Sequence, residues 1–343
     1  MDLLIKEPLL FLTTLLTLGV IFVNGWTDAP NAIATCVCTG AISLRRASLM
    51  AAVCNLAGAA VLTRLNASVA ATVCRTADFG GDAHASLVAL SAALLAVILW
   101  ATAAWRWGIP TSESHGLLAG LAGAAVALRG LSALRGEAWG KILAGLGLSL
   151  VLGFLAGVAV AGGVARLCRR WKEARCRRFF QRGQVAGAAA TAFMHGAQDG
   201  QKFTAILFLA AAFARGDTDT QRFTVSMPVL LLSAALMALG TAVGGDRILR
   251  RVGEEMVPLR PDQGFSADVA ATLTLGLFSL TGIPVSTTHA KTAAILGAGS
   301  GGDLGRVSLK TLREMVLAWV FTFPGCGLLG YLSARFFLAI APG

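Results

Sequence analysis

Two carboxylates stand alone in long apolar sequence. Asp28 is the only formal charge between Pro8 and Leu44, within NGWTDAPNA, and Asp199 and Lys202 are the only ones between Gly183 and Ala214, within HGAQDGQK. The segments align without a gap at an offset of 171, pairing Gly25 with Gly196, Thr27 with Gln198, Asp28 with Asp199 and Asn31 with Lys202. An ionised Asp near the centre of a bilayer costs about 2.5–3.5 kcal/mol, so two of them at equivalent places call for a ligand. Thr27, Asn31, Gln198 and Gln201 supply neutral oxygens beside them. Oxygen donors around a carboxylate suit a hard cation such as Na⁺, which places Na⁺ at Asp28 and Asp199. Protonation of the same carboxylates is the competing form of coupling.

A second pair of motifs has the opposite electrostatics. GIPTSESH (108–115) and GIPVSTTH (282–289) align at an offset of 174, so Pro110, Ser112 and His115 meet Pro284, Ser286 and His289. Proline suits the first turn of a helix, and Thr111, Ser112, Ser114, Ser286, Thr287 and Thr288 follow with hydroxyls. A helix N-terminus carries about half a positive charge and unpaired N–H groups. Two such ends facing each other would enclose one tetrahedral anion, whereas plain N-capping is the alternative for each alone. Like unit charges about 4 Å apart repel by about 4 kcal/mol at an effective dielectric near 20. An anion beside two carboxylates must therefore arrive with cations, which is the logic of symport.

His115, His195 and His289 also fall in these motifs and either pack helices or orient site hydroxyls. Lys202 and Lys291 compensate an anion or pair with Asp199 or Asp268. Glu113, standing where Thr287 stands in the second motif, adds a third carboxylate and a candidate proton site.

The elements that must position these groups are membrane helices. The chain has 343 residues, 56% hydrophobic and 14% charged, with a formal net charge of +11, and its mean hydropathy is +0.71. That combination excludes an ordinary soluble enzyme and a nucleic-acid binder. Apolar stretches run at 9–24, 31–42, 47–65, 84–105, 109–128, 138–165, 183–197, 202–214, 222–243, 265–282, 284–299 and 311–340. They are too long and too unbroken to alternate as strands, so the expectation is an all-α polytopic membrane protein of about 10–12 transmembrane helices. The first two stretches are each too short to cross, as are the seventh and eighth. Each pair reads as one span broken at the midplane. The 109–128 and 284–299 stretches fit either full spans or re-entrant hairpins. Seven scattered cysteines show no paired spacing and read as small apolar filler.

The alignments make the chain an internal duplication: residues 1–165 as a first repeat, 166–182 as a connecting loop, and 183–343 as a second repeat. The connection RLCRRWKEARCRRFFQR holds eight basic residues and one acidic, which places it on the cytoplasmic side. Arg45, Arg46 and the Arg247/Arg250/Arg251 cluster are the next basic connections. They share that side if the first half crosses five times, which makes the repeats inverted and puts both termini outside. Inverted repeats with broken helices at equivalent positions are a secondary-transporter signature.

NGWTDAPNAIA, HGAQDGQK and PVSTTHAKT together resemble the inorganic phosphate transporter (PiT) family over nearly the whole chain. The resemblance implies symport of inorganic phosphate with Na⁺ or H⁺ across the cell membrane, an inverted-repeat fold, often a homodimer, no cofactor and no enzymatic step. Carried over by motif position, it implies Asp28, Asn31 and Asp199 at the coupling ions, and Gln201, Asn31 and the two Ser/Thr clusters around phosphate. Some similar proteins move sulfate. The Asn that usually precedes the Asp is Thr27 in one repeat and Gln198 in the other. Two other classes compete: a passive anion pore, which needs no paired carboxylates beside an anion cradle, and an intramembrane hydrolase built on Ser112-x-x-His115, which needs no duplicate.

Overall fold

The computed structural model describes residues 8–109, 111–217, 227–243, 249–250, 252, 255–300, 305 and 307–340. Pro110, Arg247 and Arg251 lie outside the described residues, as do both termini. The elements are α1 (Pro8–Thr27), α2 (Pro30–Cys38), α3 (Leu44–Leu65), α4 (Ser68–Cys74), α5 (Ala83–Arg106) and α6 (Glu113–Arg129) in the first half. A 3₁₀ turn (Gly130–Ala133) leads to α7 (Gly136–Cys168), followed by α8 (Glu173–Ala214), α9 (Met227–Val243), α10 (Pro261–Leu280), α11 (Thr287–Ser300) and α12 (Leu309–Ile340). The described residues contain no strand, only an isolated bridge between Ala77 and Leu134. The all-α expectation holds.

Charged groups are buried within the bundle beside its hydrophobic core, and many large apolar side chains lie on the outside, unlike a water-soluble protein. Asp28, Glu113, Asp199, Lys202, Asp268 and Lys291 are buried, whereas Phe11, Leu99, Leu155, Leu239, Leu277 and Phe336 are exposed. An apolar coat of this kind matches a lipid environment. The α1–α2 pair, α3, α5, α6 with its 3₁₀ turn, α7 and α12 are long and apolar enough to cross a membrane by length and composition. With 14 residues, α11 reaches only about 21 Å at 1.5 Å per residue, short of a hydrocarbon core of about 30 Å. Its first turn, Thr287 to Ala290, is buried inside the bundle.

Two expectations about the second half are corrected. The stretches 183–197 and 202–214 are not a broken span, because α8 runs without interruption for 42 residues through HGAQDGQK. Proline explains the difference. At the matching place the first half has Pro30, which lacks the N–H that would continue the hydrogen-bond ladder of α1 and whose ring crowds the preceding turn, although Ala29 before it keeps helical angles. The second half has Gln201 there, so only α1 and α2 are parted, at Asp28 and Ala29. Likewise the segment 166–182 is not a loop: α7 extends to Cys168 and α8 starts at Glu173, leaving residues 169–172 as the connection.

Close helix crossings tie the two halves to each other by equivalent contacts. A Cβ at Gly58 of α3 would overlap the Phe193 carbonyl of α8, and one at Gly240 of α9 would overlap the Phe22 carbonyl of α1. Phe22 and Phe193 are themselves 171 apart. A Cβ at Gly123 of α6 would overlap the Gly327 carbonyl of α12, and one at Gly297 of α11 would overlap the Phe154 carbonyl of α7. Each repeat thus lends helices to the packing of the other, with glycine allowing the backbones to touch. The arrangement brings the α1–α2 break, the middle of α8 and the first turns of α6 and α11 together.

Candidate functional site

Asp28 sits where Pro30 stops α1, so its carboxylate projects from a helix break into the bundle. It accepts hydrogen bonds from Asn31 Nδ2 at 2.8 Å, Thr287 Oγ1 at 3.1 Å and, at short range, Thr288 Oγ1. Asn31 Nδ2 also lies 3.3 Å from Thr288 Oγ1. Asp199 needs no break to face the same space, because the unbroken α8 passes it through the centre. Its carboxylate accepts from Asn24 Nδ2 at 3.0 Å and from Lys202 Nζ at 2.7 Å. The Lys202 ammonium, one helical turn on, also donates to Ser114 Oγ at 2.6 Å and to Val285 O at 2.7 Å.

His195 stands between the two carboxylates. Its Nε2 is 3.4 Å from Asp199 Oδ2 and 3.9 Å from Asp28 Oδ2, and its Nδ1 is held by Asn55 Oδ1 at 3.1 Å. Ligand atoms of Asp28, His195 and Asp199 all lie within 4.8 Å of one another, close enough to share one cation. Glu113 completes the cluster, accepting from Asn24 Nδ2 at 2.9 Å and, at short range, from Thr27 Oγ1. Three carboxylates and one ammonium meet here, a formal balance of −2 with all four ionised. The buried amide oxygens Asn24 Oδ1, Asn31 Oδ1 and Gln198 Oε1 accept no hydrogen bond from any described group. Unsatisfied buried acceptors are costly, and a cation or a proton donor satisfies them.

The two Ser/Thr motifs form helix N-termini, as their spacing predicts, although Pro284 precedes the first turn of α11 instead of occupying it. Ser112 caps α6 by accepting from His115 N at 3.3 Å, and Ser286 caps α11 by accepting from His289 N at 3.1 Å. Capping uses their lone pairs and leaves each hydroxyl proton free to donate. His115 and His289 meet edge to face with ring centroids 4.3 Å apart and pack on Phe323 and Trp319 respectively. The two helix starts are therefore neighbours. The cation groups and the hydroxyl groups, separate motifs in sequence, form one cluster, with Thr287 and Thr288 on Asp28 and Ser114 on Lys202.

Other expected members lie apart from it. Thr111 lines a mostly apolar cavity of about 520 Å³ with Trp100, Trp107 and Phe321 and makes no side-chain hydrogen bond to the cluster. Gln201 accepts from Val69 N at 3.2 Å and Ala70 N at 3.4 Å at the start of α4, and Gln198 reaches Ile283 O at 3.5 Å. Lys291 pairs with Asp268 at short range, away from Asp199. Sequence reasoning missed Asn24 and Asn55. The signal for Asn24 was present, since the offset of 171 pairs it with His195; Asn55 is the lone amide in the apolar run 47–65.

An apolar-coated helical bundle that gathers charged and hydroxyl groups around a helix break at its centre is, in class, a membrane transporter and not an enzyme. The sequence profile described as the phosphate transporter family matches residues 24–176 and 165–330. The chain belongs to that family. It is 34% identical over 330 residues to a Bacillus subtilis protein named "Probable low-affinity inorganic phosphate transporter", covering 95% of this chain and 97% of that one. It is 35% identical over 329 residues to a Mycobacterium bovis protein of the same name, covering 94% of this chain and 76% of that one. Its fold matches a solved structure titled "The sodium-dependent phosphate transporter" with a TM-score of 0.86 at 20% identity, over 98% of this chain and 100% of that one.

Proposed function

We propose that this protein imports inorganic phosphate across the cell membrane by symport with a cation. The observation that carries the proposal is the placement of His195 between two buried carboxylates, Asp28 and Asp199, beside the first turns of α6 and α11. A cation at Asp28, His195 and Asp199 offsets carboxylate repulsion and gives an anion a reason to enter; the Ser112, Ser114 and Ser286 hydroxyls and the Lys202 ammonium are donors for it, joined by Thr287 when that hydroxyl leaves Asp28. Phosphate and cation each improve the site for the other, which is the coupling free energy a symporter needs. Na⁺ is the favoured partner, supported by the carboxylate oxygens of Asp28 and Asp199, the unbonded amide oxygens nearby and the name of the structural relative, with a proton on Glu113 as the alternative.

The halves 1–165 and 183–343 act as inverted repeats, with the basic segment 166–182 in the cytoplasm and both termini outside. This orientation rests on the positive-inside rule. Exposed apolar faces on α7 and α12, such as Leu155 and Phe336, are compatible with a homodimer in the bilayer. The test is uptake of labelled phosphate by proteoliposomes under an imposed Na⁺ or H⁺ gradient, with labelled sulfate in parallel. Accumulation driven by one gradient is expected, with sulfate excluded. Uptake that ignores both gradients would end the symport reading, and faster sulfate uptake would change the substrate.

A further inference from the structure

A polar stripe leaves the central cluster along α2. Asn31, Thr35 and Thr39 follow one another at intervals of four residues, so they share one helix face. Asn31 bonds within the central cluster, through Asp28 and Thr288. One turn on, Thr35 Oγ1 donates to Asp268 Oδ1 at 2.7 Å and lies 3.4 Å from Lys291 Nζ. One turn further, Thr39 Oγ1 reaches Gln184 Oε1 at 2.8 Å. Thr39 lines a cavity of about 670 Å³ together with Arg169, Arg177 and Arg260 and with the carboxylates Glu173 and Asp262, of which Asp262 pairs with Arg260.

At the middle of this stripe sits the ion pair of Asp268 on α10 and Lys291 on α11. Both side chains are buried, with exposures of 0% and 2%. Lys291 follows Thr287 by four residues, so the helix that touches Asp28 with its first turn touches Asp268 with its second. Asp268 Oδ2 accepts no hydrogen bond from any described group.

The other repeat builds the same place without charge. The offset of 174 puts Leu94 and Leu117 where Asp268 and Lys291 stand, and the offset of 171 puts Ile206 and Ala210 where Thr35 and Thr39 stand. All four are buried in one apolar cluster. The equivalent positions of the first repeat are thus filled by leucines, and a buried ion pair is commonly no more stable than a well-packed apolar replacement. Stability does not account for Asp268 and Lys291. Their position between the central cluster and an arginine-lined cavity does.

We infer that Lys291 is a second anion-binding station, which receives phosphate as it leaves the central cluster and passes it toward the cavity at Thr39, where Arg169 and Arg177 stand. This rests on the phosphate reading above. Asp268 holds the ammonium while the station is empty, and Thr35 keeps Asp268 bonded when phosphate takes its place. The equivalent residues Leu94, Leu117 and Ile206 are packed in an apolar cluster, so the first repeat offers no matching station.

The test uses the full chain in proteoliposomes. Asp268→Leu with Lys291→Leu copies the other repeat; equilibrium binding of labelled phosphate should stay within about twofold of wild type while net uptake falls about tenfold or more. Uptake within twofold of wild type would overturn the station. So would binding and uptake falling together, which marks a defect of the central cluster. If the double variant does not fold, Thr35→Val should still slow uptake with binding retained, and wild-type uptake by it would overturn the proposal. The swap Asp268→Lys with Lys291→Asp keeps the pair but moves the ammonium; it should remain slow, and wild-type uptake would make the pair a structural latch. A wild-type protein that moves no phosphate removes the underlying reading itself, and is told apart by that control.

Discussion

Lys202 Nζ lies 2.7 Å from Asp199 Oδ1, at the position that Asn31 holds beside Asp28 in the first repeat. One carboxylate thus carries a tethered cation and the other only neutral donors. Removing one partner of a buried pair costs about 3–5 kcal/mol, because the other charge is left uncompensated. Lys202→Met should therefore lower the unfolding midpoint in detergent clearly, while Lys202→Arg loses less. A Lys202→Met protein that melts with wild type would show that the ammonium does not compensate Asp199.

The paired carboxylates should both be needed for coupling, with unequal effects on binding. Asp28→Asn and Asp199→Asn should each abolish concentrative uptake while the protein still inserts. Asp28→Asn should also remove most cation dependence of phosphate binding, because no ammonium remains beside that position. Near-normal gradient-driven uptake by either variant refutes its role at the ion.

The hydroxyls at the start of α11 should set phosphate affinity. Ser286→Ala with Thr287→Ala removes two donors, each contributing about 0.5–1.5 kcal/mol. The half-saturation concentration should rise on the order of tenfold. An unchanged value would leave Ser286 as the cap of α11 and Thr287 as a donor to Asp28 and nothing more.

Glu113 separates Na⁺ from H⁺ coupling. If it carries the coupling proton, uptake by the wild type rises as the outside becomes more acidic, and Glu113→Gln flattens that profile. If Na⁺ is the partner, Glu113→Gln keeps the pH profile and the Na⁺ dependence together. Initial rates measured across pH with and without Na⁺ decide between the two.

Much of the fold could be read from the chain because hydrophobic runs and repeat offsets are local properties. The break in the second half could not. HGAQDGQK looks like a helix breaker by composition, with five polar side chains and two glycines in eight residues. In the structure those glycines are close-contact points: a Cβ at Gly196 would overlap Asn55, and one at Gly200 would overlap Ala59. The polar side chains find partners on other helices, so α8 has no need to open. Whether glycine and polar residues break a helix or let a neighbour approach depends on what packs beside them, and that is a tertiary fact.

By itself the sequence determined that the protein is a duplicated membrane bundle, that its few isolated charges fall in the repeated motifs, and that two hydroxyl motifs begin helices. Those follow from desolvation cost, repeat spacing and capping chemistry, which act within a segment or between aligned ones. Only the tertiary structure decided which charges meet. It put Asn24 between Glu113 and Asp199, put His195 between two aspartates that are 171 residues apart, and sent Lys291 to Asp268. Pairing across that separation is set by how the helices of one repeat pack into the other, and no local rule contains it.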